Sequence, residues 1–155
     1  MNKKLLALDK TADYATLREW CITIYCFLIK IHPEIADMLK EIERVITEEL
    51  DKKSDIKRMR ILYKEMNLMI REEYLPDPLM DQLNQILAEK FKYNLVDVAA
   101  AEKDEIQKII KRGRIRNDKE FELSKNKEDE IYDDESQFND AESLRNLLGD
   151  YEMNR

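Results

Sequence analysis

Leu17, Trp20, Cys21, Ile24, Leu28 and Ile31 recur at three- and four-residue steps. That period puts them on one face of a helix and predicts a helix, capped by Thr11 or Asp13, that runs to about Ile31. Ile22, Tyr25, Phe27 and Ile29 spread apolar surface around its other sides. A helix apolar on most sides belongs in the middle of a bundle. The stretch 21–26 is also rich in β-formers, so a strand competes there. The helical period on both sides of it favours the helix. Tyr25, Phe27 and Ile29 exceed what one buried face needs, which leaves open a homodimer through this helix.

The chain beyond it repeats the same pattern. Pro33 disfavours helix at His32 and suits the first position of a second helix. Ile35, Met38, Leu39, Ile42, Val45 and Ile46 carry that helix to Leu50, and 51–53 reads as a polar turn. Ser54 is the expected cap of a third helix, lined by Ile56, Met59, Leu62, Tyr63, Met66, Met69 and Ile70. Asp77 as cap and Pro78 at the first position start a fourth, with Leu79, Leu83, Ile86, Leu87 and Phe91 on its face. After a break at 94–97, a fifth runs from about Val98 to Arg112 and stops at Gly113. Only two glycines and three prolines occur in 155 residues, too few for the turns of an all-β fold.

Asn117, with Glu120 three residues on, has the reciprocal capping pattern of a helix start. Phe121, Ile131 and Tyr132 are too few to bury that helix firmly. A polar, acidic connector follows at 133–139. Asp140 is the expected cap of a last short helix carrying Leu144, Leu147, Leu148 and Tyr151, with Gly149 near its end. The expected architecture is all-α: a bundle of four to five helices over 1–116, then a C-terminal acidic helical arm over 117–155.

Charge divides the chain in the same way. The net charge is −7, yet residues 118–155 hold 13 acidic and 5 basic side chains, while the first 117 hold 21 and 22. An acidic arm either solvates or binds a basic partner. The carriers of such binding would be Asp129, Glu130, Asp133, Asp134 and Glu135, with Leu144, Leu147 and Leu148 as a groove-binding stripe. Against this stands a basic cluster, Lys108, Lys111, Arg112, Arg114 and Arg116, at a helix end where cations also complement the dipole. A second, Lys52, Lys53, Lys57, Arg58 and Arg60, opens the third helix. These clusters could contact phosphates. The overall acidity and the lack of interleaved aromatics argue against a dedicated nucleic-acid binder. A third reading is intramolecular, with the acidic arm folded back on a basic patch as a weak, salt-sensitive latch.

Catalytic and metal signals are sparse. His32 is the only histidine, and no metal-ligand spacing includes it. Glu41, Glu48, Glu49, Glu72 and Glu73 lie on predicted helices, but the Glu-x-x-His element of a two-metal bundle is missing. Asp133-Asp134-Glu135 lacks the glycine and alternating ligands of a calcium loop. No glycine loop is present to cradle a phosphate. Cys21 and Cys26 would lie about 140° apart around a helix and roughly 7.5 Å along it, a poor disulfide geometry, so both read as buried, reduced thiols. Met59, Met66 and Met69 fall on an apolar stripe and read as core filler rather than as an adaptable binding surface.

The run Leu5-Leu6-Ala7-Leu8 follows two lysines like a secretory signal, but Asp9 and Lys10 cut it short. The apolar run 21–29 is far shorter than the roughly 20 residues of a membrane span. The expectation is therefore a cytoplasmic, non-enzymatic interaction protein of the antitoxin, immunity, inhibitor or adaptor kind, with no cofactor and no membrane. It would offer an acidic surface to a basic protein partner. A nucleic-acid-associated regulator is the alternative, and an enzyme with a pocket near His32 stands third.

Overall fold

The structure, a computed structural model, describes residues 7–154, so Leu5 and Leu6 of the apolar run 5–8 considered as a signal lie outside the described residues. The described residues are helical, without strands. The elements are α1 (Leu8–Thr11), α2 (Tyr14–Ile31), a 3-10 turn (Pro33–Ile35), α3 (Ala36–Arg44), a π-helical segment (Val45–Leu50), α4 (Asp51–Lys53), α5 (Ile56–Glu72), α6 (Asp77–Phe91), α7 (Leu95–Arg112), α8 (Asp118–Ile131), a second 3-10 turn (Glu135–Gln137) and α9 (Phe138–Met153). The chain forms two compact units, Met1–Val98 and Ala99–Arg155.

In the first unit α2 is the central element. Leu17, Trp20, Cys21, Ile24 and Leu28 are wholly buried, and Tyr25 and Phe27 are buried on the other sides. They meet Leu39 from α3, Ile46 and Leu50 from the π segment, Met59, Tyr63, Met66 and Ile70 from α5, and Leu83 and Leu87 from α6. Each large apolar side chain enclosed in this way contributes about 1.5–3 kcal/mol relative to exposure. Met59 and Met66 are therefore core, as their stripe predicts. Tyr25 and Phe27 do not supply an outer face for a dimer, and the Tyr25 hydroxyl donates to Glu43 at 3.1 Å. The indole of Trp20 lies 5.5 Å from the Tyr63 ring, 5.3 Å from Phe91 and 6.0 Å from Tyr93, centroid to centroid, in tilted geometries. Its Nε1 donates to Asn67 Oδ1 at 2.8 Å, so the one polar atom of the ring is satisfied inside the core.

Several caps are as the residues predict. Asp13 accepts from the Thr16 amide at 2.9 Å. Asn117 accepts from the Glu120 amide at 2.9 Å. Gly113, at φ +81°, ends α7 with its amide on the Ile109 and Ile110 carbonyls. Others differ. The polar residues 51–53 continue the preceding helix as α4, and Ser54 ends it rather than starting the next. Ser54 is left-handed (φ 46°, ψ 50°), its amide bonds to the Asp51 carbonyl, and the Asp55 amide reaches back to Leu50. That is a Schellman ending with serine where glycine is favoured. Asp55, not Ser54, caps α5, accepting from the Arg58 amide at 3.2 Å. Pro76 rather than Asp77 is the N-cap of α6. At 94–97, Asn94 accepts from the amides of Val96 and Asp97 while Asp97 accepts from the Asn94 amide. This reciprocal cap starts α7 at Leu95, three residues before the expected start.

In the second unit α8 and α9 form an antiparallel hairpin: Tyr151 donates to Asp118 at 2.6 Å, and Arg145 pairs with Glu128 at 3.1 Å. Two small apolar clusters hold it. Ile106, Ile131, Ala141 and Leu144 form one, and Ile109, Ile115 and Phe121 form the other, flanked by Leu147, Leu148 and Tyr151. The hairpin thus packs on residues of α7, and the boundary between units lies at Val98/Ala99 rather than between 116 and 117. α8 buries Phe121 and Ile131 only because Ile106 and Ile109 lie opposite. α9 begins at Phe138 with Asp140 inside its first turn, and it runs through Gly149 to Met153.

Asn67→Ala would leave the Trp20 Nε1 without an acceptor in an apolar core. We expect a loss of about 1–3 kcal/mol, read as a lower thermal midpoint, and partial recovery in the paired variant Trp20→Phe/Asn67→Leu. Ser54→Gly should act the other way. Removing the Cβ from a left-handed position should add about 1 kcal/mol in chemical denaturation.

Candidate functional site

The acidic residues of the second unit gather at the α8–α9 turn. Asp129, Glu130, Asp133, Asp134 and Glu135 are all exposed there. Two have local tasks. Glu130 pairs with Lys127 at 3.6 Å. Asp134 caps the 3-10 turn, accepting from the Ser136 amide and hydroxyl and from the Gln137 side chain. These bonds, the Ser136 hydroxyl first, hold its carboxyl below the usual carboxylate range. Asp129, Asp133 and Glu135 have no partner among the described residues. The last turn of α8 contains no basic residue.

The leucines expected to join this surface do not lie on it. Leu144 is wholly buried, and Leu147 and Leu148 pack against Ile109, Ile115 and Phe121. The stripe that reads as a groove-binding peptide is the hairpin's own core. Two aromatics point outward instead: Tyr132 is 64% exposed and Phe138 is 60% exposed. Tyr132 reads from the sequence as core, and Phe138 is hidden in a stretch that reads as a polar connector.

The basic cluster is partly self-neutralised. Lys108 lies 3.8 Å from Asp104 and 3.6 Å from Glu105. Arg112 donates to Glu120 and also to the Arg114 carbonyl, at 3.0 and 3.2 Å. The Glu120 carboxylate also accepts from the Arg116 amide at 2.8 Å, one residue before the cap position its spacing predicts. Glu105, Lys108, Lys111, Arg112, Arg116 and Glu120 line an open depression, so an internal carboxylate occupies the place an external anion would take. Lys111, Arg114 and Arg116 keep exposed side chains. In the first unit Arg58 lies 3.6 Å from Glu49, and Arg60 donates to the Asp9 carbonyl at 3.0 Å, while Lys52, Lys53 and Lys57 are exposed.

His32 is a junction residue. Its Nδ1 lies 3.1 Å from Glu34 and its Nε2 3.5 Å from Glu73, so each ring nitrogen faces a carboxylate. Glu41, Glu48 and Glu49 all lie within ion-pair distance of Arg44 on the surface. Among the described residues no group of three or more His, Cys, Asp or Glu is arranged to hold a metal ion. No described helix is long and apolar enough to cross a membrane. Cys21 is buried, and burial pushes its thiol up to about 12. Cys26 is exposed, contrary to the expectation that both thiols are enclosed.

One polar group of the first unit is structural. Arg18 donates to both Asp51 oxygens, from Nε at 2.9 Å and Nη2 at 3.0 Å, and the Tyr14 hydroxyl donates to the same carboxylate. The Arg18 guanidinium holds the Asp51 carboxyl below its usual range, and burial raises the Tyr14 phenol. The group ties the first turns of α2 to α4. No protein-family model, curated protein or solved structure matches this chain.

The Asp51 carboxyl has a folded pKa below its unfolded value near 3.8. Its contribution is therefore fully present above that value and lost as pH falls through the folded pKa. Asp51→Asn should cost about 1 kcal/mol at neutral pH, the modest figure reflecting its partial exposure. The gap between variant and parent should close below about pH 4 in acid-denaturation curves.

Proposed function

We propose that this protein is a non-enzymatic interaction module of the antitoxin, immunity, inhibitor or adaptor kind, acting in the cytoplasm and offering the acidic end of its α8–α9 hairpin to a basic protein partner. The observation that carries this reading is the set of exposed carboxylates Asp129, Asp133 and Glu135, which have no partner among the described residues. A helix C-terminus disfavours anions, by roughly 0.3–1 kcal/mol each at exposed positions. The fold gains nothing from the Asp129 carboxylate in the last turn of α8, whereas a cationic partner would gain both attraction and faster encounter. What favours a protein over a nucleic acid is that Lys108 and Arg112 already face carboxylates, and that Glu105 and Glu120 lie inside the basic cluster. The exposed Lys111, Arg114 and Arg116 keep nucleic acid as the second reading.

Because the hairpin shares its core with α7, the test is substitution rather than truncation. Full-length protein and an Asp129→Asn/Asp133→Asn/Glu135→Gln variant would be used as bait in lysate of the native cell, with and without nuclease. The expected result is a basic protein retained by the parent, lost at high salt, insensitive to nuclease and retained at least about tenfold less by the variant. Equal retention by both baits would sink the reading. Retention abolished by nuclease would move it to nucleic acid, with charge reversal at Arg114 and Arg116 as the check.

A further inference from the structure

We propose that the α8–α9 hairpin is a lid on the last turns of α7, and that the buried, unpaired Ser124 hydroxyl keeps its closure weak, so that it opens apart from the rest of the chain. Opening uncovers Ile106, Ile109 and Ile110 and releases Arg112 from Glu120. The device stands whether or not the acidic end of the hairpin binds a partner.

The hairpin is held to itself more firmly than to α7. The backbones of α8 and α9 lie close together, whereas α7 approaches either backbone at most at isolated points. Tyr151 donates to Asp118 at 2.6 Å, Arg145 reaches Glu128 at 3.1 Å, and the Phe121 and Tyr151 rings are 5.3 Å apart. The attachment to α7 is smaller. Ile106 meets Ile131, Ala141 and Leu144, and Ile109 meets Phe121. Gln107 donates to Asp140 at 3.1 Å at an exposed site, and Arg112 donates to Glu120. An element with so few buried apolar contacts opens at lower free energy than a full core.

Ser124 weakens this attachment further. It is wholly buried on the same face of α8 as Phe121 and Ile131, the residues that meet Ile109 and Ile106. Among the described residues its hydroxyl is the one buried side-chain polar atom without a partner. A hydroxyl inside a helix can return to the carbonyl four residues back, as Thr23 does to Glu19 at 2.7 Å. That of Ser124 makes no such bond. Closure therefore costs the desolvation of a hydroxyl, and water satisfies it once the hairpin lifts. Alanine would fill the same place with higher helix propensity and no polar atom, so the serine loosens the lid with no gain to the fold.

The test uses the full chain with Cys26→Ser, so that the wholly buried Cys21 serves as an internal standard. Ala141→Cys places a thiol in the contact with Ile106. Ser124→Cys places one independently, in case the first variant does not fold. Labelling by a thiol reagent under native conditions is followed at each site by mass spectrometry. The expected result is a new thiol that reacts at least about a hundredfold faster than Cys21 of the same molecule. In the Ala141→Cys protein, Ser124→Ala should slow that labelling at least about fivefold and leave Cys21 unchanged. Asn126→Ala, at an exposed site on the same helix, controls for helix propensity and should slow it less. Equal labelling of the new thiol and Cys21 would mean one opening for the whole chain and overturn the lid. A fast thiol that Ser124→Ala does not slow, or that Asn126→Ala slows as much, would overturn the part given to the Ser124 hydroxyl.

Discussion

Enclosing Trp20 is the constraint on which the first unit depends. An indole needs a large apolar enclosure and one acceptor for its N–H, and both must be supplied by elements distant in sequence. Here Tyr63 and Asn67 come from α5, Phe91 ends α6, and Tyr93 lies in the link to α7. The three rings and one amide therefore fix α2 against two helices and a loop at once. Leu17, Ile24 and Leu28 extend the same contact along α2. The Arg18–Asp51–Tyr14 group is placed one turn from Trp20 and sets where the α3–α4 arm returns to the start of α2. Packing supplies most of the stability of this unit, and the Trp20–Asn67 bond satisfies the one polar atom that the packing encloses.

The second unit meets the opposite problem. Its helices carry few large apolar residues, and a hairpin of two such helices cannot enclose a core alone. The last turns of α7 supply the missing surface through Ile106 and Ile109, and Ile115 closes the segment between α7 and α8. Ser124 is wholly buried on α8 with its hydroxyl unpaired, a local cost that fits a thin and imperfectly filled interface. The Arg112–Glu120 pair, backed by the Arg116 amide, holds the α7–α8 corner. The basic cluster that suggests phosphate binding is in good part the corner brace of this unit.

Much of the helical layout was legible in the residues. The three-and-four period along α2, α5 and α6 found the core of the first unit, and Asp13, Gly113 and Asn117 marked ends by their own chemistry. What could not be read depended on partners far along the chain. Nothing local distinguishes Asn67 from a surface asparagine, because its role is defined by an indole 47 residues away. Ser54 looks like a cap because serine caps well, and its left-handed role appears only once α4 is seen to continue through 51–53. Charge composition changes at 117, while the compact units divide at Val98/Ala99. The acids at the α8–α9 turn were visible in the sequence. The exposure of Tyr132 and Phe138 was not, because Phe138 sits in a polar stretch and Tyr132 continues an apolar one.

Where local rules are broken without a structural gain, function is the economical explanation. Several charges in this chain serve the fold: Arg44 pairs with three glutamates, Arg18 with Asp51, Arg145 with Glu128. Lys111 and Arg112 occupy the C-terminal turn of α7, where the dipole welcomes them. α8 ends the other way, with Glu128, Asp129 and Glu130 in its last turn and further acids after it. Glu128 is neutralised by Arg145 and Glu130 by Lys127, so the fold corrects what lies along the hairpin's side and leaves its tip uncorrected. In the proposed reading, the uncompensated negative charge at the end of α8 is met by a cation from outside. The same arrangement that weakens the isolated hairpin is what would make it selective for a positively charged partner.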